Sequence, residues 1–137
     1  MHVNPYLAFA GDCTAAFRFY EESLGGTILF MQTYGESQAA GQAPPESRDH
    51  ILHASMRIGD TVLMGSDLPP GEAADHKGFF VCLEADSAGG AERLFGALAN
   101  GGTVTMPIEQ TFFATRFGML IDRFGIPWIV NFSEGSQ

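Results

Sequence analysis

The sequence is poor in cysteine, in basic residues and in long hydrophobic runs, and each shortage excludes a class of protein. Its two cysteines, Cys13 and Cys82, form no CxxC motif and no Cys/His metal spacing, which excludes a disulfide framework and makes a reducing cytoplasm the default compartment. Seven Lys and Arg against sixteen Asp and Glu give a net charge of −9, which disfavours nucleic acid and anionic lipid as partners. No apolar run approaches the roughly 20 residues that span a membrane, and the N-terminus lacks a signal-peptide pattern.

What remains is a globular composition. The chain has 137 residues, of which 45% are hydrophobic and 17% charged. A chain of this length buries about 68% of its unfolded surface, so we expect one domain that needs neither a disulfide nor a metal for stability.

The first half reads as β-α-β-β-β. Residues 3–9 are β-prone, Asp12 is a predicted N-cap, and Gly25-Gly26 ends a helix by the left-handed cap that glycine adopts without strain. One stripe of that helix is apolar at helical spacing: Cys13, Ala16, Phe17, Tyr20 and Leu24. Strands are predicted at 27–34, 50–58 and 61–66, the last two joined by Gly59-Asp60 as a hairpin. Residues 35–49 form a long polar loop.

The second half repeats this order. A strand at 79–84 precedes a helix capped by Asp86 or Ser87 and ended by Gly101-Gly102. The apolar positions of this helix are Ala91, Leu94, Phe95 and Leu98. Strands at 103–108, 115–121 and 127–132 complete the half, the last two as a hairpin.

Part of the repeat is literal. Gly25-Gly26-Thr27 recurs as Gly101-Gly102-Thr103, and Arg57-Ile58-Gly59 recurs as Arg123-Phe124-Gly125. We therefore predict module 1 at about 1–67, a linker at about 68–77 and module 2 at about 78–137. The predicted fold is α+β: two tandem βαβββ modules form a curved, mixed or antiparallel sheet around a cleft, with helices outside, and the cleft suits a small molecule.

Three stretches combine turn glycines with packing aromatics: residues 12–26, the sequence HASMRIGD at 53–60, and residues 113–128, which close with FGxxW. They resemble the vicinal-oxygen-chelate superfamily, which has the glyoxalase and bleomycin-resistance fold. The NPYL start places the resemblance in the PhnB-like branch. The resemblance implies the two-module fold, a substrate cleft and a homodimer.

Superfamily members of known chemistry hold a divalent metal through His and Glu on the first and last strands of each module. Alignment on this pattern puts four positions at the ligand sites: Pro5, Phe79, Leu63 or Met64, and Ile129. None of these side chains ligates a hard cation. We therefore predict no metal site and no cofactor.

The strand at 50–58 carries the clearest polar candidates. Its apolar positions are Leu52, Ala54, Met56 and Ile58, and they alternate with His53, Ser55 and Arg57. Since the polar set faces the cleft or solvent, His53 is a candidate general base or ligand contact and Ser55 a ligand contact. The alternative is a structural, hydrogen-bonded histidine.

Aromatic residues near the C-terminus suggest a pocket wall. Phe113, Phe117 and Trp128, with Phe79, are predicted to contact the ligand, although core packing explains such a cluster equally well. The strand parity is open: either Phe113 and Phe117 or Arg116 faces inward. Arg116 either clamps an anionic group or pairs with a surface acid.

Three functions remain open. The favoured one is binding or sequestration of a small, partly aromatic molecule. The alternatives are a metal-independent enzyme that uses His53 for proton transfer and a metalloenzyme with a relocated site on His50 and His53, whose spacing of three on a strand argues against it. The identity of the ligand is not predicted.

Overall fold

The computed structural model describes residues 1–37, 41 and 44–134, and its contacts divide the chain into two compact units, Met1–Asp75 and His76–Gln137. The first unit contains one helix and one four-stranded sheet. In chain order its elements are β1 (Tyr6–Phe9), α1 (Cys13–Leu24), β2 (Thr27–Thr33), β3 (Ile51–Ile58) and β4 (Thr61–Asp67). The sheet order is β1-β4-β3-β2, with β1 parallel to β4 and the other pairs antiparallel.

The second unit repeats this topology. Its elements are β5 (Val81–Glu84), α2 (Ala88–Ala99), β6 (Thr103–Glu109), β7 (Arg116–Ile121) and β8 (Pro127–Phe132). The sheet order is β5-β8-β7-β6, again with the first strand parallel to the last and the other pairs antiparallel. The predicted α+β fold with two tandem βαβββ modules is confirmed.

The repeated glycine pairs have the same two structural roles in both units. Gly25 (φ 69°) and Gly101 (φ 80°) adopt the left-handed conformation directly after or near the end of each helix. The second glycine of each pair leaves no room for a side chain. A Cβ on Gly26 would lie 2.5 Å from the Met56 sulfur, and one on Gly102 would collide with the Ile121 carbonyl oxygen.

The helices pack on one face of each sheet as their periodicity predicts. On α1 the side chains of Cys13, Ala16, Phe17 and Tyr20 are buried, and on α2 those of Ala91, Phe95 and Leu98. Glycines in the sheets permit this close packing. A Cβ on Gly65 would lie 2.9 Å from the Phe17 ring, and one on Gly118 would lie 2.7 Å from the Phe95 ring.

Asp12 and Ser87 are the N-cap residues of the two helices, as predicted, but only one of the two side chains forms a cap. Ser87 caps α2, since its hydroxyl oxygen accepts the Gly90 N–H at 2.9 Å. The Asp12 side chain makes no capping hydrogen bond to α1. The Asp67 carboxylate at the end of β4 takes that place, accepting the Cys13 N–H at 3.0 Å.

The segment between β2 and β3 is only partly described. Backbone hydrogen bonds from Tyr34 to His50 and from Gly35 to Arg48 continue the β2–β3 ladder, and Pro45–Ser47 form a 3-10 turn. The predicted loop at 35–49 also includes residues 38–40 and 42–43, which lie outside the described residues. A register irregularity between Gln32 and Thr33 places Ile51 in the core, where the strict alternation predicts Leu52.

Candidate functional site

The first sheet has an open face, opposite α1, that is lined by aromatic and uncharged polar side chains. Strand pairing defines it, because directly paired residues lie on the same face of a sheet. Ser55 pairs with Phe30 on one side and Met64 on the other, and Met64 also pairs with Tyr6. The open face of the first sheet includes Tyr6, Phe30, Gln32, His53, Ser55 and Met64, and, at the end next to the β3–β4 hairpin, Thr27, Arg57 and Val62.

His53 lies between two aromatic rings on this face. The Tyr6 hydroxyl oxygen is 3.3 Å from His53 Nδ1, and the two ring centroids are 5.7 Å apart. On the other side the Phe30 ring centroid lies 6.0 Å from that of His53. Tyr6 is 50% exposed and Phe30 is 47% exposed, whereas His53 is half-buried. A histidine with apolar ring surface on both sides is therefore accessible from solvent.

The second unit presents a separate aromatic cluster formed by Phe112, Phe113 and Phe117. Their rings meet edge to face, with centroid distances of 5.1 Å and 4.9 Å. The Thr111 hydroxyl oxygen accepts the N–H groups of Phe113 and Ala114, which fixes the turn that carries the first two rings. Phe112 is fully exposed, and a shallow cavity of about 240 Å³ lies beside the turn.

Arg116 lies on the α2 side of the second sheet. It is on the same strand face as the buried Gly118 and Leu120. The Arg116 Nε–H donates to Glu92 Oε2 on α2 at 2.7 Å, and an Nη1–H donates to the Thr115 carbonyl. The strand parity left open by the sequence is thus resolved, and Phe117 lies on the opposite face from Arg116.

Trp128 belongs to the core of the second unit. It is 2% exposed, and its indole N–H donates to Asp122 Oδ2 at 2.9 Å. The other carboxylate oxygen of Asp122 accepts the N–H groups of Phe124 and Ile126, so Asp122 closes the β7–β8 turn. Trp128 therefore offers almost no ring surface to a ligand, contrary to its prediction as a ligand contact.

The remaining predicted residues are dispersed. Phe79 is 40% exposed and packs edge to face on His76 with centroids 6.3 Å apart. His50 lies against the turn between β1 and α1, where its ring would be 3.4 Å from a Cβ on Gly11. His50 and His53 therefore do not converge, which leaves the relocated metal site without geometric support.

A sequence profile described as the Glyoxalase/Bleomycin resistance protein/Dioxygenase superfamily matches residues 2–130. The chain belongs to this superfamily. It is 34% identical over 139 residues to Protein YjdN of Escherichia coli, an alignment that covers 96% of this chain and 95% of YjdN. The structure matches protein PA1353 from Pseudomonas aeruginosa with a TM-score of 0.88 and 43% identity, covering 97% and 98% of the two chains.

The glyoxalase-superfamily fold is also shared by a PhnB protein from Bacillus cereus. That structure matches with a TM-score of 0.79 at 20% identity and covers 97% of this chain and all of its own. The superfamily resemblance drawn from the sequence is confirmed, and a PhnB protein is among the structures with this fold.

The side chains at the superfamily's metal-ligand positions do not fit a divalent ion. Leu63 is 1% exposed and packs in the core, and Pro5, Met64, Phe79 and Ile129 offer no carboxylate or imidazole. Within the residues that the structure describes, no group of three or more His, Cys, Asp or Glu side chains is placed to bind a metal. Among the same residues, no helix is long and apolar enough to cross a membrane.

Proposed function

We propose that the protein binds a small, partly aromatic organic molecule on the open face of the first sheet. The observation that carries the proposal is the position of His53, between the Tyr6 and Phe30 rings. The two rings supply flat apolar surface, and the imidazole supplies a directional polar contact. Ser55 and Met64 on the same face add a hydroxyl group and an adaptable apolar side chain.

Exposure of the rings supports this proposal. Tyr6 and Phe30 are each about half exposed, although large aromatic side chains stabilise a fold most when they are buried. Exposed apolar surface next to a few polar groups is typical of a ligand-binding surface. The favoured role is therefore binding or sequestration that requires no metal.

A second candidate function is proton transfer by His53. The Tyr6 hydroxyl group next to Nδ1 favours it, because an orienting hydrogen bond on one ring nitrogen fixes the role of the other. Phe113 and Phe117 remain a second proposed aromatic contact surface. Phe79, which packs on His76, remains a separate proposed contact. Arg116 is a control position, since Glu92 already binds its guanidinium group.

Mass spectrometry of small molecules that co-purify with the protein tests the proposal. The wild type and the Arg116→Ala variant are expected to retain the same aromatic compound, whereas Phe30→Ala and His53→Ala lose it. Retention by all four proteins, or a compound lost only from Arg116→Ala, contradicts the proposed site.

We further propose that the protein is a cytoplasmic homodimer, on the basis of its two cysteines, which form no disulfide, and of the superfamily resemblance. Sedimentation velocity at micromolar concentration is expected to give the mass of a dimer. A monomer at that concentration contradicts this assembly.

A further inference from the structure

We propose that the ligand carries an anionic group, a carboxylate or a phenolate, next to its aromatic ring. This inference rests on the proposed function and specifies the chemical class of the molecule that the open face of the first sheet binds. Three features of that face carry it: the distribution of ionisable side chains over the strands, the hydrogen bond between Tyr6 and His53, and the neighbouring hydroxyl group.

The strands of the first sheet carry very few acids although the whole chain has a net charge of −9. Apart from Tyr6, the ionisable side chains in β1, β2, β3 and β4 are His53, Arg57 and Asp67. Asp67 lies on the α1 side, is 2% exposed, and its carboxylate accepts three backbone N–H groups. No strand residue therefore places a carboxylate on the open face.

A face to which the strands contribute no carboxylate, on an acidic protein, discriminates between ligands by charge. The only fully ionised strand residue on the open face is Arg57, which pairs with Thr27 and Val62 and is exposed. It lies four residues from His53, about 13 Å along β3 at the rise of a β-strand. At that distance Arg57 does not contact an anion held at His53, and physiological salt largely screens its attraction.

We assign the direct hydrogen bond to the anionic group of the ligand to His53. Tyr6 Oη and His53 Nδ1 are 3.3 Å apart. Because a phenol hydroxyl is a better donor than a neutral imidazole N–H, and an imidazole nitrogen a better acceptor than a phenol oxygen, we infer that Tyr6 donates to Nδ1 and that the neutral imidazole carries its own hydrogen on Nε2. A protonated imidazole also carries a hydrogen on Nε2. In both states His53 presents an N–H donor, and an N–H donor forms its strongest hydrogen bond with an anionic oxygen.

Ser55 completes the arrangement. It follows His53 by two residues, so its hydroxyl group lies on the same face about 7 Å along the strand. A ring placed against Tyr6 and Phe30 can thus direct a carboxylate or phenolate oxygen at His53 Nε2, and in a carboxylate Ser55 can donate to the second oxygen. An amidinium or ammonium group in the same place would meet an N–H donor and no carboxylate from the strands.

Three matched compounds test this inference: benzoate, benzamide and benzamidine. They have nearly the same shape and differ mainly in charge, which is negative, zero and positive at neutral pH. The protein is labelled with ¹³C in its methionine methyl groups, and the spectra are followed during titration at millimolar concentrations. Met64 on the open face is the reporter, and Met56, buried under α1, is the matched control. Met64→Leu and Met56→Leu variants assign the two signals.

Benzoate is expected to shift the Met64 signal with a dissociation constant about fivefold lower than that of benzamide, because a hydrogen bond to a charged group is stronger than one between neutral groups. Benzamidine is expected to bind most weakly. In the His53→Ala variant the ring still binds, but the preference for benzoate over benzamide is lost.

The failures of the two proposals are distinguishable. Equal affinity for the three compounds, or a preference for benzamidine, contradicts the proposal that the ligand is anionic. Either result is still consistent with the proposal that this face binds an aromatic molecule. An unchanged benzoate preference in His53→Ala overturns the role of His53. A Met64 signal that no compound shifts, or a Met56 signal that shifts as far as that of Met64, overturns the proposed function itself.

Discussion

The carboxylate of Asp67, the last residue of β4, caps the helix that begins at Cys13, 54 residues earlier in the sequence. One oxygen accepts the N–H groups of Gly11 at 2.9 Å and Cys13 at 3.0 Å, and the other accepts that of Ile51 at 2.8 Å. A single buried side chain thus joins the β1–α1 turn, the start of β3 and the end of β4. Burial, with a further contribution from the Asp67 charge, raises the pKa of the Cys13 thiol far above its usual range.

Replacing Asp67 is therefore expected to be among the most destabilising single changes in the first unit. Asp67→Ala leaves three backbone N–H groups without their acceptor and should lower the free energy of unfolding by about 3 kcal/mol or more. Urea denaturation measures it. Asp12→Ala is the matched control, expected to change stability by less than about 0.5 kcal/mol because the Asp12 side chain makes no cap. Equal losses for the two variants contradict the assignment of the cap to Asp67.

Two glycines of the second unit are expected to respond oppositely to alanine. A Cβ on Gly118 would lie 2.7 Å from the Phe95 ring and 2.8 Å from Ile108, so Gly118→Ala should destabilise the protein by about 1–3 kcal/mol. Gly96 lies on the exposed side of α2 with open space around it, so Gly96→Ala should stabilise the protein by about 0.5–1 kcal/mol. Thermal unfolding of both variants measures the signs, and a stable Gly118→Ala protein would show that β7 and α2 are less closely packed.

Cys82 is expected to react slowly with iodoacetamide although it is exposed. Partial burial of its sulfur raises the pKa of the thiol and the Glu84 carboxylate raises it further, so less thiolate is present at pH 8. Glu84→Gln should speed the alkylation, which mass spectrometry follows at the Cys82 peptide. The buried Cys13 is an internal control that reacts only after unfolding. An unchanged or slower rate in Glu84→Gln contradicts the electrostatic part of this explanation.

The ion pair between Arg116 and Glu92 is expected to contribute little to stability. The two side chains are 28% and 54% exposed, and pairs of this exposure stabilise proteins by about 0–1 kcal/mol. A double-mutant cycle with Arg116→Ala and Glu92→Ala measures the coupling. A coupling well above this range would mean that the pair also orients α2 on the second sheet.

The sequence predicted the fold well because local signals specify each element. The apolar stripes locate both helices, and Gly25 and Gly101 mark where they end, so the bounds of α1 agree with the prediction. Asp12 is the N-cap residue of α1 as predicted, but its side chain makes no capping hydrogen bond. The local sequence could not predict that the Asp67 carboxylate from β4 caps the helix instead.

The candidate site was predicted only in part, for the same reason. Alternation along β3 placed His53 and Ser55 on the correct face, but their neighbours Tyr6 and Phe30 come from strands distant in sequence and were not predicted. In β7 both Phe117 and Arg116 suit a ligand surface by composition. The hydrogen bond between Arg116 and Glu92 on α2 shows that Arg116 faces the helix and that Phe117 faces the other side of the sheet.

The most direct test of the central claim is an intermolecular NOE experiment on the protein with excess benzoate. We expect NOEs from the benzoate ring protons to the Met64 methyl group and to the ring protons of Phe30 and Tyr6. NOEs to Phe112 and Phe113 alone, or to the Met56 methyl group under α1, would contradict it.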